Sequence, residues 1–374
     1  MNKSSYSEGV KRTWDAYNMV PNAPIFRKEF GFYGFENWVS QGHIKDYGEL
    51  AKICKYDDSG TYGMGDLGWC EAPFAPAFDT IILEDRGEYE LVQDYAGRGV
   101  LYFKGRRNGF MPEYVTHPAT DMKSWETNCK WRLTVTPERL AAAENTGKRA
   151  AADVAVSGRL VSERAVGGYM YLRSLIGPED LLYKFYDEPE LIHDCMQTWF
   201  NVADAVIAEH QKHVTIDEFF IAEDICFNTS SLISPDMMRE FLFPYYQQII
   251  TNIKARQLDK SRRLFFQVDT DGYCDCVIDE YRSLGMDMLS PFEAASDCDV
   301  VRTAAQYPDL IMSGGIDKRI LAESKEAIDR MLDRIMPPMK KRGGFIPTCD
   351  HGVPEEVSFE NYIYFRQRLN EYCE

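Results

Sequence analysis

The sequence predicts an α/β protein whose parallel strands are wound as a barrel, and three observations carry that prediction. From Phe219 onward, short apolar runs alternate with amphipathic stretches, the pattern of repeated strand-helix units in a parallel sheet. Each of these runs ends in a polar cluster, and in a parallel barrel all strands point the same way, so such clusters converge on one face. An open doubly wound sheet would also gather its strand ends, but it usually carries a glycine-rich phosphate loop after the first strand, and none is present.

The expected strands are residues 219–224 (FFIAED), 264–270 (LFFQVDT), 286–293 (MDMLSPFE), 310–317 (LIMSGGID) and 345–351 (FIPTCDH). Helical patterns at 235–255 and 325–341 separate them. Ser234 before Pro235 reads as an N-cap with proline at the first helical position, and Ser324 opens a helix with Glu326 in its first turn. The polar strand ends are Glu223 and Asp224, Asp269 and Asp271, Glu293, Asp317, and Asp350 with His351. Gly314-Gly315 reads as a close-packing bend, and Asp317 after it as a helix cap in preference to a catalytic group.

The first half is less regular. Residues 79–105 read as three short strands joined by Asp-Arg-Gly and Ala-Gly-Arg-Gly turns, an antiparallel β-meander inserted in the N-terminal third. Around it lie Trp69, Tyr89, Tyr95, Tyr102, Tyr114, Trp125 and Trp131, which suit ordinary packing better than a lid over an apolar substrate. Residues 176–214 return to an amphipathic pattern with no Pro-, Gly- or Ser-rich boundary, so 1–374 reads as a single domain.

A formal net charge of −17, spread over the chain, makes nucleic acid and anionic membrane poor partners. No apolar run approaches the roughly 20 residues that a bilayer span needs, and the first residues lack the apolar stretch of a signal peptide, so a cytoplasmic location is expected. Ten scattered cysteines point to free thiols and not to a disulfide framework. Cys274 and Cys276 have a C-x-C spacing that could suit a metal, but they follow Asp271-Gly272 at an apparent helix start, where a structural role is the simpler account.

Six segments together resemble the uroporphyrinogen decarboxylase superfamily: residues 167–192 (GGYMYLRSLIGPEDLLYKFYDEPELI), 222–246 (AEDICFNTSSLISPDMMREFLFPYY), 268–272 (VDTDG), 284–293 (LGMDMLSPFE), 313–321 (SGGIDKRIL) and 349–362 (CDHGVPEEVSFENY). The resemblance implies a (β/α)8 TIM barrel. In true uroporphyrinogen decarboxylases an arginine-rich N-terminal segment grips the carboxylates of the porphyrinogen. The corresponding stretch here offers only Arg27 and Lys28 beside Glu29 and Glu36, a poor grip for so acidic a molecule.

The superfamily also includes corrinoid-linked methyltransferases, in which zinc is held by an H-x-C pair after one strand and a cysteine after the last; methionine synthase relatives place a glutamate between them. The resemblance puts Asp269 at the histidine position, Asp271 at the first cysteine position, Glu293 near the glutamate and His351 at the last cysteine position. These residue types suit zinc with oxygen and imidazole ligands, or else a metal-free acidic pocket in which Asp269 or Asp271 polarises the substrate. Glu223 and Asp224 are candidates to orient a ligand or touch substrate, or equally to cap the following loop. His351 alone among the histidines sits in a family motif at a strand end; His43, His117, His193, His210 and His213 are expected on solvated faces.

The resemblance implies methyl transfer between a small methylated, methoxy-type compound and a corrinoid carried by a separate protein, assisted by zinc or by a protonated carboxylic acid. The chain has no D-x-H-x-x-G cobalt-binding motif of its own, and a homodimer is compatible with the resemblance. The alternatives are a cofactor-independent decarboxylase acting on something smaller than a porphyrinogen, and a non-catalytic barrel that binds a small ligand.

Overall fold

The computed structural model describes residues 6–105, 107 and 113–374. All five expected strands form, and two more precede them. Seven strands make one parallel sheet in the order β1 (Thr61–Leu67), β6 (Leu160–Val166), β7 (Glu218–Ala222), β8 (Phe265–Asp269), β9 (Met288–Ser290), β10 (Ile311–Ile316) and β11 (Phe345–Cys349). A separate antiparallel sheet holds β2 (Ile81–Arg86), β3 (Tyr89–Gln93), β4 (Gly99–Phe103) and β5 (Glu113–Thr116). The meander therefore has four strands instead of three, and its last strand lies beyond the expected boundary at residue 105.

The parallel ladder differs from an eight-stranded cylinder. Among the described residues no ladder joins β11 to β1. Residues 24–31 carry no regular structure, and the segment is tied by one parallel bridge from Phe32 to Val353 and by the Asp57 N–H donating to the Arg27 carbonyl (2.9 Å). The reason is chemical: the N–H of Cys349 donates to the Glu29 side chain (2.8 Å), so a carboxylate takes the place that a strand carbonyl would occupy. Tyr362 Oη (2.9 Å) and Arg366 (3.7 Å) hold the other oxygen of the same carboxylate.

Side chains from all seven parallel strands line one cavity, so the sheet curls around a common interior. Helices cover the outer face: Pro189–His210 buries Leu191, Cys195, Trp199, Val202 and Val206, and the Trp199 indole donates to the Val166 carbonyl (2.9 Å). The two expected N-caps are in place, with Ser234 accepting from the Met237 N–H and Ser324 from the Ala327 N–H. Gly314 and Gly315 have φ of +102° and +75°, and a Cβ on Gly314 would stand 1.8 Å from the Pro291 carbonyl oxygen, which only glycine avoids. No helix among the described residues is long and apolar enough to cross a membrane.

Candidate active site

Cross-strand register brings the site together. Ala222 pairs with Asp269 and Asp269 with Ser290, so the ends of β7, β8 and β9 lie side by side. Beyond β8 the sequence VDTDG turns sharply: the Thr270 hydroxyl accepts from the Ile225 N–H (3.0 Å) and the Cys226 N–H (3.3 Å), and its own N–H donates to the Ser290 carbonyl (2.9 Å). Gly272 follows with φ +78°, pressed so closely on the Phe227 carbonyl that a Cβ would stand 2.6 Å from its oxygen. Three successive strand-end loops are thus stitched around Asp269 and Asp271.

The cavity inside the curled sheet measures about 780 Å³. Its wall mixes aromatic rings (Phe30, Tyr47, Trp69, Phe220) with acids (Glu29, Asp57, Glu218, Asp269), two cations (Lys28, Arg164) and His351. Trp69 stacks on Phe220 with ring centres 5.2 Å apart and stays 47% exposed, so it is a cavity wall, whereas Trp125 is fully buried packing.

Asp269 accepts from the Ser290 hydroxyl (2.5 Å), which in turn accepts from Gln267 (3.1 Å). Burial pushes the Asp269 carboxyl up to about 6, with the Asp224 charge adding to the rise and Ser290 and Lys28 opposing it. Asp271 is pushed further, to about 8, first by burial and then by the charges of Asp224, Asp269 and Glu293, against which Lys318 is a partial counterweight. Its side chain is still 41% accessible, with an oxygen 3.7 Å from Nε2 of His351. His351 hydrogen-bonds through Nδ1 to the Tyr33 hydroxyl (2.7 Å), and burial together with Lys318 lowers its pKa, so the ring stays neutral.

The four residues that the resemblance nominated for zinc are brought to one mouth but not to one point. Glu293 accepts from the Gly272 N–H (2.9 Å) and lies 3.6 Å from the Lys318 ammonium, which also reaches Asp350 at 3.2 Å. A lysine thus already offsets part of the charge of the acidic rim. Among the described residues, the one group of three or more His, Cys, Asp or Glu with ligand atoms all within 4.8 Å of one another is Cys274, Asp275 and Cys298. The donor set of Asp269, Asp271, Glu293 and His351, as arranged, does not fit a metal.

Of the remaining candidates, Asp224 adopts φ +43° and ion-pairs with Arg173 (2.5 Å), close enough to raise both aspartates. Glu223 is turned away from the cavity: fully buried, it accepts from the Tyr169 N–H (2.9 Å) and the Tyr246 hydroxyl (2.5 Å), and burial lifts its pKa to about 7. Asp317 accepts from the Arg319 N–H (3.0 Å) and ion-pairs with its guanidinium. Cys274 and Cys276 open a short 3-10 turn, Cys274–Val277.

Sequence reasoning missed Lys318, Arg164 and Tyr33, and it left Lys28 without a place. Arg27 is spent on Asp57 (2.8 Å) and Glu374 (3.1 Å), while its neighbour Lys28 lines the cavity. The alternation of an extended segment was the available signal, since adjacent residues leave it on opposite sides. His210 corrects the expectation of a solvated face: it is 0% exposed, with Nδ1 2.7 Å from Glu163 and Nε2 3.0 Å from Asp66. A helix C-terminus packed over β1 and β6 buries it there.

Comparison with known proteins places the chain. The family model described as uroporphyrinogen decarboxylase (URO-D) matches residues 96–372. A uroporphyrinogen decarboxylase from Hydrogenobaculum is 27% identical over 133 residues, a match that spans 36% of this chain and 36% of that relative. Among solved structures, a methyltransferase from Methanosarcina mazei superposes with a TM-score of 0.55 at 11% identity, covering 98% of each chain, which shows a shared fold. A B12-independent methionine synthase from Shewanella is more distant, with a TM-score of 0.32 at 12% identity over 62% of this chain and 65% of that one. Since the family match takes in well over half of the residues, the chain belongs to the uroporphyrinogen decarboxylase family.

Proposed function

We propose that this chain is a methyltransferase that moves a methyl group from a small methoxy compound to a corrinoid carried by a separate protein, with Asp271 as the acid that assists departure of the oxygen. The observation that carries the reading is the position of Asp271: its carboxyl lies 3.7 Å from His351, which lines the aromatic-walled cavity, and burial with the neighbouring carboxylate charges pushes its pKa up to about 8. Breaking a methyl–oxygen bond leaves charge on the oxygen, and an acid within hydrogen-bond reach stabilises that charge as it forms. Neutral His351, hydrogen-bonded to Tyr33, stands 3.7 Å from the acid, and the Ser290 hydroxyl donates to Asp269. The corrinoid supplies the nucleophile. No step needs a metal at the four nominated residues.

The wall composition supports a small donor over a porphyrinogen. Four carboxylates against two cations make the cavity a poor host for a polycarboxylate, while Trp69 and Phe220 suit an aromatic ring. The fold shared along the whole chain with a methyltransferase is consistent with this reading. Family membership keeps a second reading, decarboxylation of a smaller acid, in which Asp269 stabilises developing positive charge. Incubation of the chain with methoxyarenes and cob(I)alamin tests both. Formation of methylcobalamin supports the proposal; release of carbon dioxide from a carboxylic acid without methyl transfer replaces it with the second reading, and ligand binding without either reaction replaces it with a non-catalytic role.

A further inference from the structure

A second group with chemical potential lies behind the acidic mouth, formed by the loops after β8 and β9. Cys274 and Asp275 open the turn that follows Gly272, and Cys298 lies just ahead of the helix Val300–Gln306. The two thiols are 0% and 5% exposed, and their sulphurs are 3.6 Å apart. A tetrahedral zinc with Zn–S bonds of about 2.3 Å spaces its sulphurs by roughly 3.8 Å, so the pair already stands at the separation that two thiolate ligands require. One carboxylate oxygen of Asp275 completes a set whose members all lie within 4.8 Å of one another.

The surroundings orient this set as ligands are oriented in metal sites. Asp275 is held by Arg302 (3.2 Å) and by the Thr303 hydroxyl (3.1 Å), and Cys298 Sγ lies 3.4 Å from the Gly272 carbonyl, a further oxygen donor. A neighbouring pair, Cys226 and Cys276, has sulphurs 4.0 Å apart but, among the described residues, no carboxylate within the same reach, and serves as an internal control.

We propose that Cys274, Asp275 and Cys298 bind a soft divalent cation, zinc in the first instance. Two thiolates and a carboxylate match the ligand preferences of zinc. Binding releases the two thiol protons to solvent, with no change in oxidation state. The ion ties the loop after β8 to the loop after β9. Gly272, whose N–H reaches Glu293, lies inside that tie, so the site positions Asp271 without touching substrate. The site stands on its own geometry, and failure of methyl transfer leaves it intact.

The test uses the full chain, stripped with a chelator under reducing conditions and reloaded with Zn²⁺ or Co²⁺. Metal analysis should give about one tightly held ion per chain, and X-ray absorption of the zinc form should show sulphur scatterers at about 2.3 Å. Cys274→Ser and Cys298→Ser should abolish the cobalt–thiolate charge-transfer band, while Cys276→Ser and Asp271→Asn keep it. Arg302→Met, which frees the Asp275 carboxylate, should weaken binding about 10- to 100-fold. Absence of tight binding by the unmodified chain overturns the proposal. So does a zinc shell of oxygen and nitrogen alone, which needs no variant to fold, or a thiolate band that survives Cys274→Ser or Cys298→Ser.

Discussion

Two histidine–carboxylate groups in this chain use the same residue types to opposite ends. On the outer face of the sheet, His210 is clasped between Glu163 and Asp66 with no water contact. Burial alone would lower its pKa, but the Glu163 charge and the two hydrogen bonds outweigh burial and raise it to about 10, while burial raises the Glu163 carboxyl as well. At the cavity mouth, His351 has one carboxylate at 3.7 Å, too far for a hydrogen bond, and burial, aided by Lys318, lowers its pKa. There the carboxylates face one another, and their charges add to burial in raising the Asp271 pKa to about 8. The comparison teaches that proton placement follows from how many charges meet and how tightly each is bonded. The clasped group ties a helix end to two strands of the sheet; the crowded group is where the proposed acid stands.

Breaking each group in turn should separate these roles. Asp271→Asn should cost about 10²- to 10⁴-fold in turnover, the usual worth of a general acid, with circular dichroism unchanged. His210→Leu should leave activity chemistry alone but strand the buried Glu163 carboxylate, at a cost of about 3–5 kcal/mol in urea denaturation. Adding Glu163→Gln to that variant should recover part of the loss.

The pH response sharpens the contrast. Turnover that depends on the Asp271 proton should fall as pH rises through about 8. The stability sign follows from the same shift: because the folded pKa lies above the unfolded one, protonation favours the fold at low pH, and that contribution is lost as pH rises through about 8. Asp271→Asn should therefore be more stable than the unmodified chain above that pH in thermal melts. The smallest effect is expected from Ser290→Ala. Removing its hydrogen bond should raise Asp269 above about 6, shift the acidic limb of the pH–rate profile upward and change stability by no more than about 1.5 kcal/mol in urea denaturation.

Much of the fold could be read before any coordinates, because strands from Phe219 onward are apolar runs whose ends carry the acids. The two strands that escaped reading have a physical excuse. β1 (TYGMGDL) carries two glycines and an aspartate, and β6 (LVSERAV) carries Ser162, Glu163 and Arg164 because both of its faces are polar at that point. Glu163 reaches out to His210 while Arg164 reaches in to the cavity. The missing eighth ladder strand was illegible for a similar reason, since Glu29 substitutes a side-chain oxygen for a backbone one. Motif spacing located Asp269, Asp271, Glu293 and His351 at one mouth, but spacing carries no side-chain direction. Glu293 is drawn to the Gly272 N–H and Lys318, a lysine that the sequence offers only as the neighbour of Asp317.

The proposed acid, Asp271, must keep its proton at neutral pH. Infrared difference spectra between the unmodified chain and Asp271→Asn, recorded across a pH series, test it most directly. A protonated-carboxyl band at pH 7 that disappears with a midpoint near 8 is the predicted result. A carboxylate signal at that position already at pH 7, titrating near the ordinary aspartate value of about 3.9, would contradict it.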